Sequence, residues 1–148
     1  MQALIRSGEE RDFARVIDFL TKAGLGTEGL SEEVLPYFLL MENSSGEIKG
    51  LLGIEALGED GLLRSLAITP DLGERDIILL FEQMMVLAKN KKLSRVFLAT
   101  NKIQALDFFH VLGFKETEID DLPEKFFESK HIQHIFNVDN SIFLKFSL

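Results

Sequence analysis

Apolar residues at Phe13, Val16, Ile17 and Leu20 repeat at the three-and-four spacing that puts one greasy stripe on a helix. Ser7 and Glu10 stand before them at capping-box spacing and Gly24 follows, so the pattern predicts a first helix with both ends marked. "TEGLSEEVLPYFLLMEN" predicts a short second helix ended near Pro36, then a strand from Phe38 to Met41. "NSSGE" is a turn of small polar residues, "IKGLLGIEAL" a strand carrying two glycines, "GEDG" a tight turn and "LLRSLAIT" a further strand. From Glu74 to about Lys92 the positions Ile77, Ile78, Phe81, Met84, Met85 and Ala88 recur at helical spacing, which predicts a long helix covering a sheet with one face. "SRVFLAT" is dense in apolar residues with no alternation, as a strand buried on both faces would be.

Asn101 to Leu112 reads as a helix with Gly113 as its exit, and "FKETE" as a strand. "DDLPEKFFES" places Pro123 in the first turn of a short helix, and "SIFLKFSL" is a last strand. Hairpin-linked strands come first, and a crossover helix then joins parallel neighbours. The expectation is an α/β chain with a single mixed central sheet flanked by helices on both faces, one domain over residues 1–148.

Composition removes several chemistries. There is no Cys, which excludes a thiolate nucleophile, a Cys zinc site and a disulfide framework. A formal net charge of −8 argues against nucleic acid as a partner, and "KNKK" at 89–92 is better placed as a helix's last turn, where cations complement the dipole. No basic leader or apolar run of about 20 residues is seen, so no membrane partner is expected and the reading is a cytoplasmic protein. His131 and His134 share three-residue spacing without a third ligand and are read as polar surface, so no metal is expected. The 13 Phe residues mean core first, with a homodimer face for any exposed subset.

Three passages carry a resemblance. "GLLRSLAITPDL" is similar to a central strand running into an acyl-coenzyme A loop, "RVFLAT" to the parallel strand beside it, and "ALDFFHVLGF" to a signature helix of the form A-x-x-F-Y-x-x-x-G-F. Together they resemble the GCN5-related N-acetyltransferase (GNAT) superfamily along essentially the whole chain. The nearest patterns are the acetyltransferase domain of N-acetylglutamate synthase and the small acetyltransferases of arsenic-resistance clusters. The resemblance implies the acyl-CoA N-acyltransferase fold, acetyl-CoA as acyl donor, and a small amine or amino acid as acceptor. Leu66, Ala67 and Ile68 would then offer main chain to the pantetheine arm, and Gly73, Glu74, Arg75, Asp76, Ile77 and Ile78 their amides to the pyrophosphate. Asn101 and Phe108 would complete the cofactor contacts.

The loop departs from the superfamily pattern R/Q-x-x-G-x-G/A. Gly73 holds the first slot, and Asp76 and Ile78 stand where glycines let the backbone approach phosphates. Carboxylates at Glu74 and Asp76 repel a phosphate and are also what a ligand-free helix prefers in its first turn. Two readings follow: a transferase with a degenerate pyrophosphate loop, or a catalytically inactive relative serving as a binding or regulatory module. For the transferase, Glu55 is the candidate base, with a raised pKa if buried on its apolar strand, and Ser65 shares the cleft. Arg64 is the candidate clamp for a substrate carboxylate, or else the salt-bridge partner of Glu55 or Glu59. Phe109 stands where many relatives carry a proton-donating Tyr, and Tyr37 is the chain's single Tyr. His110 would serve as an acid only if its helix turned it to the cleft, and the simpler task of Asn101 is to cap the next helix.

Overall fold

A computed structural model describes residues 4–27, 29–129, 132 and 141–148. Seven strands form one sheet: β1 (Leu4–Ser7), β2 (Phe38–Glu42), β3 (Ile48–Leu57), β4 (Asp60–Ile68), β5 (Arg95–Thr100), β6 (Lys115–Thr117) and β7 (Ile142–Ser147). Their spatial order is β1-β2-β3-β4-β5-β7-β6, antiparallel throughout except for the parallel pair β4–β5. The α-helices that lie wholly within the described residues are α1 (Phe13–Lys22), α2 (Glu74–Asn90) and α3 (Leu106–Leu112), with short 3₁₀ turns between elements. The α/β expectation holds, including the crossover by α2 between parallel neighbours.

Period-two alternation sorts the core onto two faces. Leu39, Met41, Leu52, Ile54, Leu63 and Leu98 point toward α2 and α3 and pack with Leu80, Phe81, Met84 and Phe109. Their strand neighbours Phe38, Leu40 and Leu51 point the other way and bury against Val16 and Leu20 of α1. Farther along that second face Leu62, Phe97 and Phe143 meet Phe126, whose ring stands edge-on to Phe97 at 4.9 Å.

Several local expectations change. Ser7 is the last residue of β1, a strand too short to show periodicity, and does not cap the first helix. That start is capped by Asp12, whose Oδ2 accepts the Glu9 N–H at 2.8 Å while Arg6 grips both carboxylate oxygens at 2.8 and 2.9 Å. Glu42 and Arg15 complete this cluster, which ties α1 to β1 and β2. The second helix is a 3₁₀ helix, Glu32–Tyr37, running through Pro36, because the fixed φ of proline suits that geometry. The helix expected from Asn101 begins with a 3₁₀ turn at Ile103–Ala105, and the Thr100 hydroxyl, instead of Asn101, accepts the Lys102 N–H at 3.1 Å. Gly113 does close α3 in the left-handed region (φ 108°). His131 and His134 lie outside the described residues.

Candidate active site

One irregularity in β4 builds the site. Gly53 faces Arg64 and Leu51 faces Ala67, so two steps along β3 are matched by three along β4. The extra residue is a β-bulge, and Ser65 within it takes φ +59°, a left-handed conformation that costs a non-glycine residue roughly 1–2 kcal/mol. The bulge resets the alternation: Leu63 and Leu66 both face α2, although they are three residues apart. Arg64, next to Leu63, lies on the opposite side, where it is buried and its Nε donates to Ser65 Oγ at 3.1 Å.

Beyond the bulge β4 leaves β5. The parallel ladder pairs only Asp60, Gly61 and Leu62 with Arg95, Val96 and Phe97, and its closed end is clamped by two Arg95–Asp60 contacts of 2.9 and 3.0 Å. Meanwhile β4 stays paired to β3 as far as Ile68, and β5 to β7 as far as Thr100. Both lips of the gap are therefore held from behind, and their facing backbone groups need partners from outside the sheet. A cavity of about 380 Å³ fills the opening. Leu63, Ser65 and Leu66 line one lip, and Leu98 and Thr100 the other. Phe81 and Phe109 form part of its apolar wall, and Asn101 and Lys102 stand at the end of β5.

A second cavity, of about 330 Å³, adjoins the first through Arg64. Tyr37, Phe38, Ile54, Glu55 and Arg64 are among its walls. Glu55 Oε2 accepts the Ser129 hydroxyl at 2.9 Å and lies 4.0 Å from Arg64 Nη1. The Glu55 side chain keeps 29% exposure, so it is not buried on its strand as the sequence reading required.

The loop after β4 leads to the start of α2. Gly73 sits there with φ −90°, ψ 172°, extended backbone that makes no use of glycine's freedom. Its N–H donates to Asp76 Oδ2 at 3.1 Å, and the amides of Asp76 and Ile77 both close on the Gly73 carbonyl, at 3.1 and 3.3 Å. Glu74 and Arg75 are exposed and carry the helix-start amides still turned outward. The neighbouring Asp71 carboxyl is held below its ordinary pKa by the Thr69 hydroxyl first, and less by Lys49.

The uncharacterised protein YwlB of Bacillus subtilis (strain 168) is 34% identical over 142 residues, covering 95% of each chain. The chain belongs to the same family as YwlB. No family model matches it. Among solved structures, N-acetylglutamate synthase from Neisseria gonorrhoeae, complexed with coenzyme A and N-acetylglutamate, superposes with TM-score 0.81 at 18% identity. All of this chain is covered, but it spans only 35% of that synthase. Rv2747 from Mycobacterium tuberculosis, in complex with CoA, gives 0.77 at 17% identity, covering 98% of this chain and 99% of its own. PaiA N-acetyltransferase from Thermoplasma acidophilum, also with CoA, gives 0.69 at 14%, covering 100% of each chain. These likenesses show the fold of the YwlB relative described here: it is the GNAT acyl-CoA N-acyltransferase fold, as the sequence resemblance implies.

The expected site residues are only partly brought together. Ser65, Leu66, Asn101 and Arg64 line the gap, while Glu55 lies in the adjoining cavity. Ala67 has its side chain in the α1-side core, and Ile68 is exposed at the strand end. Phe108 does not line the gap; it packs edge-on against Phe81 and Phe109 at 6.1 and 5.6 Å, and Phe109 is the ring that reaches the wall. His110 is exposed on α3 and is not among the residues lining the gap. Sequence reasoning missed Ser129, which positions Glu55 from 74 residues away and carries no local signal. It also missed Lys102, although a cation directly after a predicted strand end could have been noted. Among the described residues no helix is long and apolar enough to cross a membrane, and no group of three His, Cys, Asp or Glu could hold a metal ion.

Proposed function

We propose that the chain is an acetyl-CoA-dependent N-acetyltransferase acting on a small amine or amino acid by direct transfer. The observation that carries this reading is the divergence of β4 from β5 after Leu62, beyond which the two strands no longer pair with one another and a cavity of about 380 Å³ lies between them. A pantetheine arm, with its two amides, fits such a gap as an extra strand would. Acetyl-CoA supplies a thioester-activated acetyl group. The chain's residues supply the rest. Main chain from Leu66 to Ile68 holds the arm, and Glu55 takes the proton from the acceptor ammonium. The amine nitrogen then bonds to the acetyl carbon, and a backbone N–H near Ala67 or Ile68 meets the oxygen on which charge develops. As the carbon–sulfur bond broke, the second amine proton would leave to water and the thiolate would take one back from water, since Phe109 has none to give.

The loop supports a second reading. With the Gly73 amide already taken by Asp76, the pyrophosphate has a poor seat, which favours a module that binds CoA weakly and catalyses nothing. Weak here means a CoA Kd above about 100 µM, or less than about 5.5 kcal/mol of binding. Hydrogen exchange of the full chain with CoA tests the shared part: β4 from Leu63 to Ile68 should gain protection. Protection confined to other segments would remove the cofactor from the gap. Thiol release from acetyl-CoA across a panel of primary amines then separates the two, because the module reading allows protection without turnover.

A further inference from the structure

We infer that the Ser65 hydroxyl, set in the strained bulge and braced by Arg64, is a second hydrogen-bond donor to the thioester oxygen. This deepens the transferase reading and rests on it for the reaction, but not for the contact. Two non-glycine residues take positive φ among the described residues, Ser65 at 59° and Lys92 at 64°. Lys92 is exposed just past the end of α2, where a left-handed residue ordinarily closes a helix. Ser65 closes nothing: it stands half-buried in mid-strand, between Arg64, which pairs with Gly53, and Ala67, which pairs with Leu51. Glycine would take that φ at no steric cost, so the oxygen of Ser65 is what the strained position keeps in place.

That oxygen lies where an acyl group would end. The last rung joining β4 to β5 is Leu62 with Phe97, and the gap runs from there toward Ile68 and Thr100. The start of α2, which would meet the phosphates, follows the Ile68 end, so an arm laid along β4 points its thioester toward the closed end. Ser65 is three residues from that end and lines the cavity. Nε of the buried Arg64 donates to Ser65 Oγ at 3.1 Å. That bond occupies a lone pair of Oγ and leaves the O–H to point away from the guanidinium. It also draws charge off the oxygen, and away from water such a chain of hydrogen bonds strengthens the outer donor. The effect needs only this contact, whatever else the guanidinium touches. The hydroxyl and the backbone N–H near Ala67 or Ile68 would then hold the thioester oxygen together, and both bonds strengthen as negative charge grows there.

Acetyl-CoA labelled with carbon-13 at the thioester carbonyl is bound to the full chain without acceptor, and its carbonyl stretch is read by isotope-edited infrared difference. A hydrogen-bonded carbonyl absorbs at lower wavenumber, so the band of the native complex should lie below that of Ser65→Gly. Equal band positions would overturn the assignment. With a primary amine as acceptor, Ser65→Gly should lower the saturated rate at least tenfold while the Kd for CoA is unchanged. CoA affinity falling in step with the rate would make Ser65 a structural brace and overturn the assignment as well. Should Ser65→Gly fail to fold, Ser65→Cys, which keeps the Cβ and a weaker donor, should place the band above that of the native complex; a band at the native position would count against the hydroxyl. The two readings fail separately. Transfer to an amine with the native and Ser65→Gly bands coincident sinks the donor and leaves the transferase standing. A lowered native band with no transfer to any amine sinks the transferase and leaves the contact standing, and acetyl-CoA failing to bind sinks both.

Discussion

Replacing Asp76 by Asn removes one charge from the start of α2 while keeping an oxygen able to accept the Gly73 N–H. In the native chain that bond is 3.1 Å long, so a phosphate seated on the same amide would lie about 5 Å from the carboxylate. At an effective dielectric near 20 the repulsion is about 3 kcal/mol, and physiological salt, with a Debye length near 8 Å, leaves about half. Removing it should tighten CoA roughly 20-fold. The helix loses a favourable charge–dipole contact of about 0.3–1 kcal/mol, so the variant should melt a few degrees lower. Calorimetric titration with CoA and with pantetheine is the assay, because pantetheine shares the arm and lacks the phosphates. The gain should appear for CoA alone and shrink in high salt. Equal gains for both ligands, or none for CoA, would refute the electrostatic account of the loop.

Glu55→Gln should lower acetyl transfer tenfold or more at neutral pH with the fold intact by circular dichroism; an unchanged rate would remove Glu55 from the mechanism. The Asp12 carboxyl is held down at about 2, against an ordinary 3.8, chiefly by its hydrogen bonds from Arg6. A lowered folded pKa means the stabilisation is fully present above pH about 4 and is lost as pH falls through 2, amounting to about 2 kcal/mol. Urea midpoints at successive pH values should show that loss in the native chain and not in Asp12→Asn; equal pH slopes would dissociate Asp12 from acid unfolding. At Gly53 an added Cβ would run into the Phe38 ring, so Gly53→Ala should destabilise by about 1–3 kcal/mol in urea unfolding, and a neutral result would show that the ring can move.

The elements with a strong period were legible before any coordinates. The start of α2 at Glu74, the dense run of β5 and the Gly113 exit of α3 stand where the pattern put them, although α2 buries Leu80, which the expected stripe left out. What failed was tertiary in origin. β1 has four residues, too few for a period, and exists because β2 offers it an edge. The cap moved from Ser7 to Asp12 because Arg6, one strand residue away, fixes that carboxylate. Around the site, the side chains of β4 could be named but not aimed. A strict alternation puts Leu63 and Ser65 on one face and Arg64 and Leu66 on the other, and only the bulge, invisible in "LLRSLAIT", brings Leu66 back to the side of Leu63. Ser129 reaches Glu55 across a separation no local pattern can bridge.

On the proposed reading, the two halves of a nucleotide-bearing acyl donor would meet different physics in this chain. Its pantetheine arm would meet a gap whose lips are held by β3 and β7 and whose closed end is clamped by Asp60 and Arg95, so little has to move for it to bind. Its phosphates would meet a helix start whose amide is already satisfied and whose first turn carries Glu74 and Asp76. Because the sheet, not the loop, builds the gap, losing the phosphate seat does not close the site. Affinity and chemistry are thus separable: changes at Asp76 should move Kd for CoA while leaving transfer from saturated enzyme unaltered, and changes at Glu55 should do the reverse. Were Asp76→Asn to change the saturated rate as strongly as the affinity, loop and gap would be one unit and the separation would fail.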